Sequence, residues 1–222
     1  MKKILFAGLM CICFSVAASA SALEKLKGAY IGGNFGIAGS NNLSSLEDYL
    51  SMATGSSGLG LTTDLKNPNY VYGFEIGYEN PLISQTQLIG LKAGYNWYSD
   101  LDLDIHIAVA NESINIKSKA TAIPVTVYYK SLISAKTALS CGIGATYIET
   151  ELSASVSGST GSQKDYKLSP HITMGAEYKF TEFFALGIDF KYTFDAKFEQ
   201  SNMFERDLGG LSGAVTARFY AF

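Results

Sequence analysis

Three features of the 222-residue chain predict an all-β fold, an eight-stranded antiparallel up-and-down barrel. Apolar and polar residues alternate with period two in eight separate runs, the connections between runs alternate between short and long, and the chain is rich in glycine and aromatics. Glycine reaches 22 residues and Tyr with Phe 14 and 13, against Trp 1, Pro 4, Cys 3 and His 2. So few Cys and His leave little material for a zinc site or a disulfide framework, and none for a metal or cofactor is assigned. A formal net charge of −3 argues against gripping phosphate backbones, so nucleic acid is not an expected partner.

The N-terminus has the tripartite plan of a secretory signal: Met1-Lys2-Lys3, an apolar run from Ile4 to Phe14, and small residues from Ser15 to Ala22. The apolar run is too short to span a bilayer as a helix, which takes roughly 20 residues. Cleavage is expected after Ala20 or Ala22, with Ala22 favoured, giving a signal peptide at 1–22 and a barrel domain at 23–222. Removal takes Lys2, Lys3 and no acid, moving the formal charge from −3 to −5, and leaves Cys141 as the exported chain's one cysteine.

The expected strands lie at about 28–39, 69–80, 86–108, 114–130, 137–151, 168–180, 184–197 and 208–222. Each is as long as the ~9–11 residues a tilted strand needs to cross a membrane. Tyr70, Tyr72, Phe74, Ile76 and Tyr78 alternate with Val71, Gly73, Glu75, Gly77 and Glu79. Ile89 to Trp97, Ile172 to Phe180 and Leu186 to Phe194 repeat the pattern. Long loops are expected at about 40–68, 99–119 (an extended hairpin with its tip at 109–113), 152–167 and 198–207, and short turns near 81–85, 131–136 and 181–183. Gly55–Gly60 and Ser157–Ser162 read as loop tips.

Facing decides between two kinds of barrel. A soluble lipocalin-type barrel turns its aromatic face inward. In a membrane the aromatic face meets lipid, and glycines on the polar face relieve crowding in a lumen just wide enough for side chains. Aromatics cluster near strand ends, with Tyr78, Tyr129 and Phe180 by the short turns and Tyr70, Trp97, Tyr147 and Tyr192 towards the long loops. Two interfacial girdles require that placement, so the transmembrane reading is preferred. The interior then carries a polar network of Glu75, Lys92, Glu177, Lys179, Asp189 and Lys191, which must be paired or hydrated. Centring the first short turn near 82–83 places Glu75 opposite Gly90 with Lys92 on the diagonal, and Glu177 opposite Gly187 next to Asp189.

Ile89-Gly-Leu-Lys-Ala-Gly-Tyr-Asn-Trp97, Gly175-Ala-Glu-Tyr-Lys-Phe-Thr181, Leu186-Gly-Ile-Asp-Phe-Lys-Tyr192 and the opening Gly28-Ala-Tyr-Ile-Gly-Gly-Asn-Phe-Gly36 resemble strands of the OmpA/OmpX-type small outer-membrane barrels. The terminal Phe222, with Tyr220 before it, is similar to the C-terminal signal read by the outer-membrane insertion machinery. The resemblance implies outer-membrane localisation, contact with lipid and lipopolysaccharide, and a structural or surface-interaction role without the periplasmic domain of OmpA. Parity in the last strand conflicts with that signal. If Arg218 faces inward, so do Tyr220 and Phe222; a bulge, or an Arg218 that snorkels to the headgroups, would reconcile them.

Catalytic candidates are weak. His106 shares a face with Asp100, Asp102 and Asp104, which suits acid–base or divalent-ion chemistry but equally a solvated hairpin face. Ser169, His171 and Thr173 faintly resemble the His-x-Ser of a lipid A deacylase barrel. No nucleophile elbow, Walker loop or dinucleotide fingerprint occurs, so no catalytic residue is assigned. In the outer hairpin Leu101, Leu103, Ile105 and Ile107 form an apolar strip, either open to strand addition by another chain or covered by the hairpin itself. Lys117 and Lys119 fall where lipopolysaccharide phosphates would lie. The leading reading is envelope integrity with adhesion or host contact through the loops. A narrow ion or small-solute channel, a lipid-modifying or proteolytic barrel and a soluble periplasmic binding barrel are the alternatives.

Overall fold

A computed structural model describes residues 28–38, 61–66, 70–84, 86–107, 112–156, 159–201 and 204–221. The leader, Gly55–Gly60 and Phe222 lie outside them.

Eight strands form the barrel wall: β1 (Ala29–Ala38), β3 (Tyr70–Ser84), β4 (Gln87–Ile107), β5 (Glu112–Leu132), β6 (Thr137–Val156), β7 (Ser159–Lys179), β8 (Phe184–Thr193) and β11 (Gly210–Tyr220). All pairings are antiparallel. The order β4-β3-β1-β11-β8-β7-β6-β5 closes on itself through β4–β5, so every wall strand has two neighbours and the ring has no edge. Three short strands are additional: β2 (Leu61–Lys66) on the outer part of β4, and a hairpin of β9 (Lys197–Ser201) and β10 (Phe204–Asp207).

The eight alternating runs all became wall strands, because period two with one greasy face is satisfied only by a sheet whose two sides meet different surroundings. The outward face is apolar. Ile31, Phe35, Leu91, Ile143, Met174, Ile188 and Phe219 are each at least half exposed. Across that face aromatics pair between neighbouring strands, as in Tyr72 on Trp97 (ring centroids 5.6 Å) and Phe184 on Phe219 (5.1 Å). Two of the short turns are closed by hydroxyls: Ser134 Oγ accepts from the amides of Lys136 and Thr137, and Thr181 Oγ1 from those of Phe183 and Phe184.

The long connections contain more strand than expected. At 152–167, β6 runs to Val156 and β7 restarts at Ser159, so the pair continues as a ladder rather than a loop. The 198–207 segment holds the β9–β10 hairpin, and 61–66 extends the sheet alongside β4. Register between β3 and β4 also differs: Glu75 pairs with Gly94, and Gly90 pairs with Glu79. The reason is local. β3 continues through Pro81 to Ser84 with an irregularity between them, so the turn falls later than residues 82–83.

Candidate functional site

The lumen is filled in three levels. Nearest the short turns, Lys130 is 1% exposed and its ammonium donates to Glu79 Oε1 (2.9 Å), Glu177 Oε1 (2.8 Å) and the Tyr220 hydroxyl (2.8 Å). Tyr220 donates to Glu177 Oε2 at 2.8 Å, and Tyr128 donates to Glu79 Oε1 at 2.9 Å beside the Tyr30 hydroxyl. Glycine makes room for the two rings: a Cβ at Gly77 would overlap Tyr30, and one at Gly90 would overlap Tyr128.

One level up, Arg218 joins three carboxylates. Nε donates to Glu75 Oε1 (2.6 Å), Nη1 to Glu177 Oε2 (2.9 Å) and Nη2 to Asp189 Oδ2. Lys92 Nζ adds Asp189 at 2.9 Å and Glu75 at 3.7 Å. The planar, five-donor guanidinium suits such a hub. The two levels link seven of the eight wall strands; the inward side of β6 contributes the small Ala138, Ser140 and Gly142 there. A set of buried charges with every partner in place fixes register, because a slip of one residue would strand them all.

Above lies a cavity of about 80 Å³. His171 forms part of the wall at this depth, 2% exposed, with Thr126 Oγ1 2.9 Å from Nε2 and Thr146 Oγ1 2.8 Å from Nδ1. The third level is apolar. Tyr98, Ala120, Ala122 and Ile148 of the wall pack on Ala196, Phe198 and Leu208, which the β9–β10 hairpin and its flanks carry across the mouth. Arg206 of that hairpin is fully buried and donates from Nη1 to Ser118 Oγ at 2.9 Å and from Nη2 to the Ser99 carbonyl at 3.3 Å.

Beyond the mouth the sheet continues, and one bulge changes its facing. Between Tyr98 and Leu101, β4 carries two residues opposite the single residue Lys119 of β5. Odd-numbered residues of β4 point outward up to Trp97, but Leu101 and Leu103 above the bulge are 1% exposed and pack on Ile116 and Leu152. The hairpin thus covers its own apolar side. Polar residues face out: Lys117 lies 3.3 Å from both Asp100 and Asp102, Asn115 donates to Asp104 at 2.6 Å, and Lys164 bridges Glu149 (3.0 Å) and Glu151 (3.1 Å). Hydrogen bonds to Asp100 and then Asp102 hold the Lys117 ammonium above the usual lysine range, and Glu149 does so for Lys164.

Of the six residues expected in the interior network, Glu75, Lys92, Glu177 and Asp189 are in mutual contact or share Arg218. Lys179 lies over the Tyr220 ring at 4.6 Å, a cation–π contact rather than an ion pair. Lys191 lines the cavity. Glu79 and Lys130 were not singled out, although both sit on the polar side of an alternating run. Arg218 and Tyr220 both point inward on a last strand of unbroken register with β1, so neither a bulge nor snorkelling operates there. The seven aromatics expected in the girdles, Tyr70, Tyr78, Trp97, Tyr129, Tyr147, Phe180 and Tyr192, are on the outward face. Ser169 Oγ donates to the Asp195 carbonyl and His171 is held by two threonines, so they do not form a nucleophile–base pair. The His106 side chain lies outside the described residues. Lys117 is engaged by Asp100 and Asp102 rather than displayed alone; Lys119 is exposed.

Residues 5–219 match the family model described as an outer membrane protein beta-barrel domain. The chain belongs to the outer-membrane β-barrel family. No curated protein matches it. Among solved structures, this outer-membrane barrel is similar to the attachment invasion locus protein Ail of Yersinia pestis, at 12% identity and TM-score 0.46 over 88% of this chain and 99% of that one. OprG of Pseudomonas aeruginosa follows at 10% identity and 0.46, covering 87% and 95%. Neisserial surface protein A gives 9% and 0.39, covering 88% and 97%. Membership places the barrel in the outer membrane of a Gram-negative cell, with lipid against its apolar face. The soluble periplasmic barrel is thereby excluded, in keeping with the outward tyrosines and leucines.

Proposed function

We propose that this barrel is a structural and surface-interaction protein: its wall contributes to envelope integrity, and its outer extension serves adhesion or host contact. The observation that carries the reading is the filled lumen, ionic near the short turns and apolar at the opposite mouth, which leaves the extension as the part available for encounters. On this reading the short turns face the periplasm, the insertion machinery reads the last strand with Tyr220 and Phe222, and Lys119 meets lipopolysaccharide phosphate while Lys117 shares its charge with Asp100 and Asp102. No enzymatic step is proposed.

A narrow channel is the second reading, favoured by the polar cavity between the two seals. Planar-bilayer recording of the refolded barrel, run beside detergent sensitivity and host-surface attachment of cells lacking it, tests the choice. The structural reading expects a silent bilayer together with a detergent-sensitive or poorly attaching mutant. Regular conductance steps with neither phenotype would replace it with the channel.

A further inference from the structure

The polar set that faces the lumen holds one cation too many. The two ionic levels contain four carboxylates, Glu75, Glu79, Glu177 and Asp189, and four cations: Lys92, Lys130 and Arg218 are ion-paired with them, and Lys179 lies over the Tyr220 ring. Lys191 is left over. It lines the cavity above the plug, two residues along β8 from Asp189, and it forms no ion pair among the described residues. Asp189 is already taken by Arg218 and Lys92.

A second group there also lacks a partner. Thr216 on β11 is 2% exposed, lines the cavity, and its hydroxyl has no hydrogen-bond partner among the described residues. A buried hydroxyl left unmade costs about 1–3 kcal/mol, so such groups generally meet water or an ion. Asn34 and Asn96 line the cavity as well, joined by a hydrogen bond from Asn34 Nδ2 to Asn96 Oδ1 at 3.1 Å. The carboxylates of Glu75 and Asp189 also line this space of about 80 Å³, but both are engaged by Arg218 and Lys92. Lys191 and Thr216, by contrast, keep donors without a partner there among the described residues. The volume has room for a halide and companion waters but not for a hydrated dianion.

We propose that the lumen binds a small monovalent anion, chloride in the cell, between the Lys191 ammonium and the Thr216 hydroxyl. The ion supplies Lys191 with the counter-charge that no carboxylate provides, and gives the Thr216 hydroxyl an acceptor. Bound between the ionic plug and the apolar mouth, it behaves as part of the core rather than as permeating cargo. This goes beyond the surface role and holds whether or not that role is right.

The test uses the full refolded barrel in detergent. Its melting, read as loss of the compact gel form, is followed in sodium bromide against sodium gluconate at constant ionic strength. Wild type should melt higher in bromide, with saturation. Thr216→Val should fold and need about tenfold more bromide for the same gain, the loss of one hydrogen bond to a charged group. Lys191→Met should abolish the response. Should Lys191→Met not fold, bromide-soaked wild-type crystals decide, through an anomalous peak between Lys191 and Thr216. An empty cavity in that map, a wild type indifferent to bromide, or an identical response in Lys191→Met would each overturn the proposal.

Discussion

Lysine–glutamate pairs occur at two heights in this barrel with almost the same geometry. Inside, Lys130 lies 2.9 and 2.8 Å from Glu79 and Glu177 with its side chain 2% exposed. On the outer sheet, Lys164 lies 3.0 and 3.1 Å from Glu149 and Glu151 with 48% exposed. Distance does not separate them; surroundings do. In the lumen each charge has given up water, and removing a partner strands the other in a poor solvent. On the sheet water and salt screen the attraction, and holding long side chains still offsets most of what remains. The first set fixes one register, whereas the second decorates a sheet already held by its ladder and by Leu101, Leu103, Ile116 and Leu152.

Breaking the inner set should give the largest effect. Arg218→Ala leaves Glu75, Glu177 and Asp189 without their common donor, and should cost about 3–5 kcal/mol in denaturant unfolding from detergent. The matching change outside, Lys164→Ala, should leave the unfolding midpoint where it is. Equal shifts for the two would erase the distinction between the regions.

The lipid face supplies the next test, since there a charge has neither water nor partner. Leu91 is 52% exposed on the outward face of β4. Leu91→Arg should cost roughly 2–4 kcal/mol for a position near the bilayer midplane, measured in phospholipid vesicles rather than micelles. An unchanged free energy in vesicles would mean that Leu91 does not meet the acyl region.

How much of this could be read from the chain alone follows the same division. Tyr70 to Glu79 and Ile172 to Phe180 announced their faces because alternation is a local signal, and a wall strand has only two faces. The Glu177–Gly187 pairing was accessible because a short turn with no irregularity fixes its own register. Three things were not. The turn after β3 hid its length behind Pro81, which moved Glu75 from Gly90 to Gly94. The bulge at Ser99 and Asp100 reverses facing with no composition signature, and it put Leu101 and Leu103 in a core. Lys130, Glu79 and Arg206 meet their partners across the lumen, as in the Lys130–Glu79 contact spanning 51 positions, and period two carries no information about what lies across a barrel.

A smaller effect sharpens the inner side of the comparison. Lys92 keeps 15% of its side chain accessible and touches Asp189 at 2.9 Å, while Arg218 remains to serve the same carboxylates. Lys92→Ala should therefore cost less than Arg218→Ala, about 1–3 kcal/mol. Lys136, exposed in the β5–β6 turn, should tolerate alanine within about 0.5 kcal/mol. Identical melting temperatures for these two variants in detergent would remove Lys92 from the network.

The smallest expected effect is at Lys117, whose side chain is 38% exposed between Asp100 and Asp102. Its ammonium is held above the usual lysine range first by Asp100 and then by Asp102, so its folded pKa is raised. A raised lysine pKa contributes stability that is present in full below the ordinary value near 10.5 and is lost only as pH climbs through the folded value. From pH 6 to 9 the Lys117 contribution should therefore be flat. Solvent screening limits it to about 0.2–0.5 kcal/mol, and molar salt, with a Debye length of about 3 Å, should shrink it further. Lys117→Ala compared with wild type at low and high salt measures this directly. A loss as large as that of Lys92→Ala, or one indifferent to salt, would mean that the outer ion pairs are sealed from water, and the contrast between the two regions would fail.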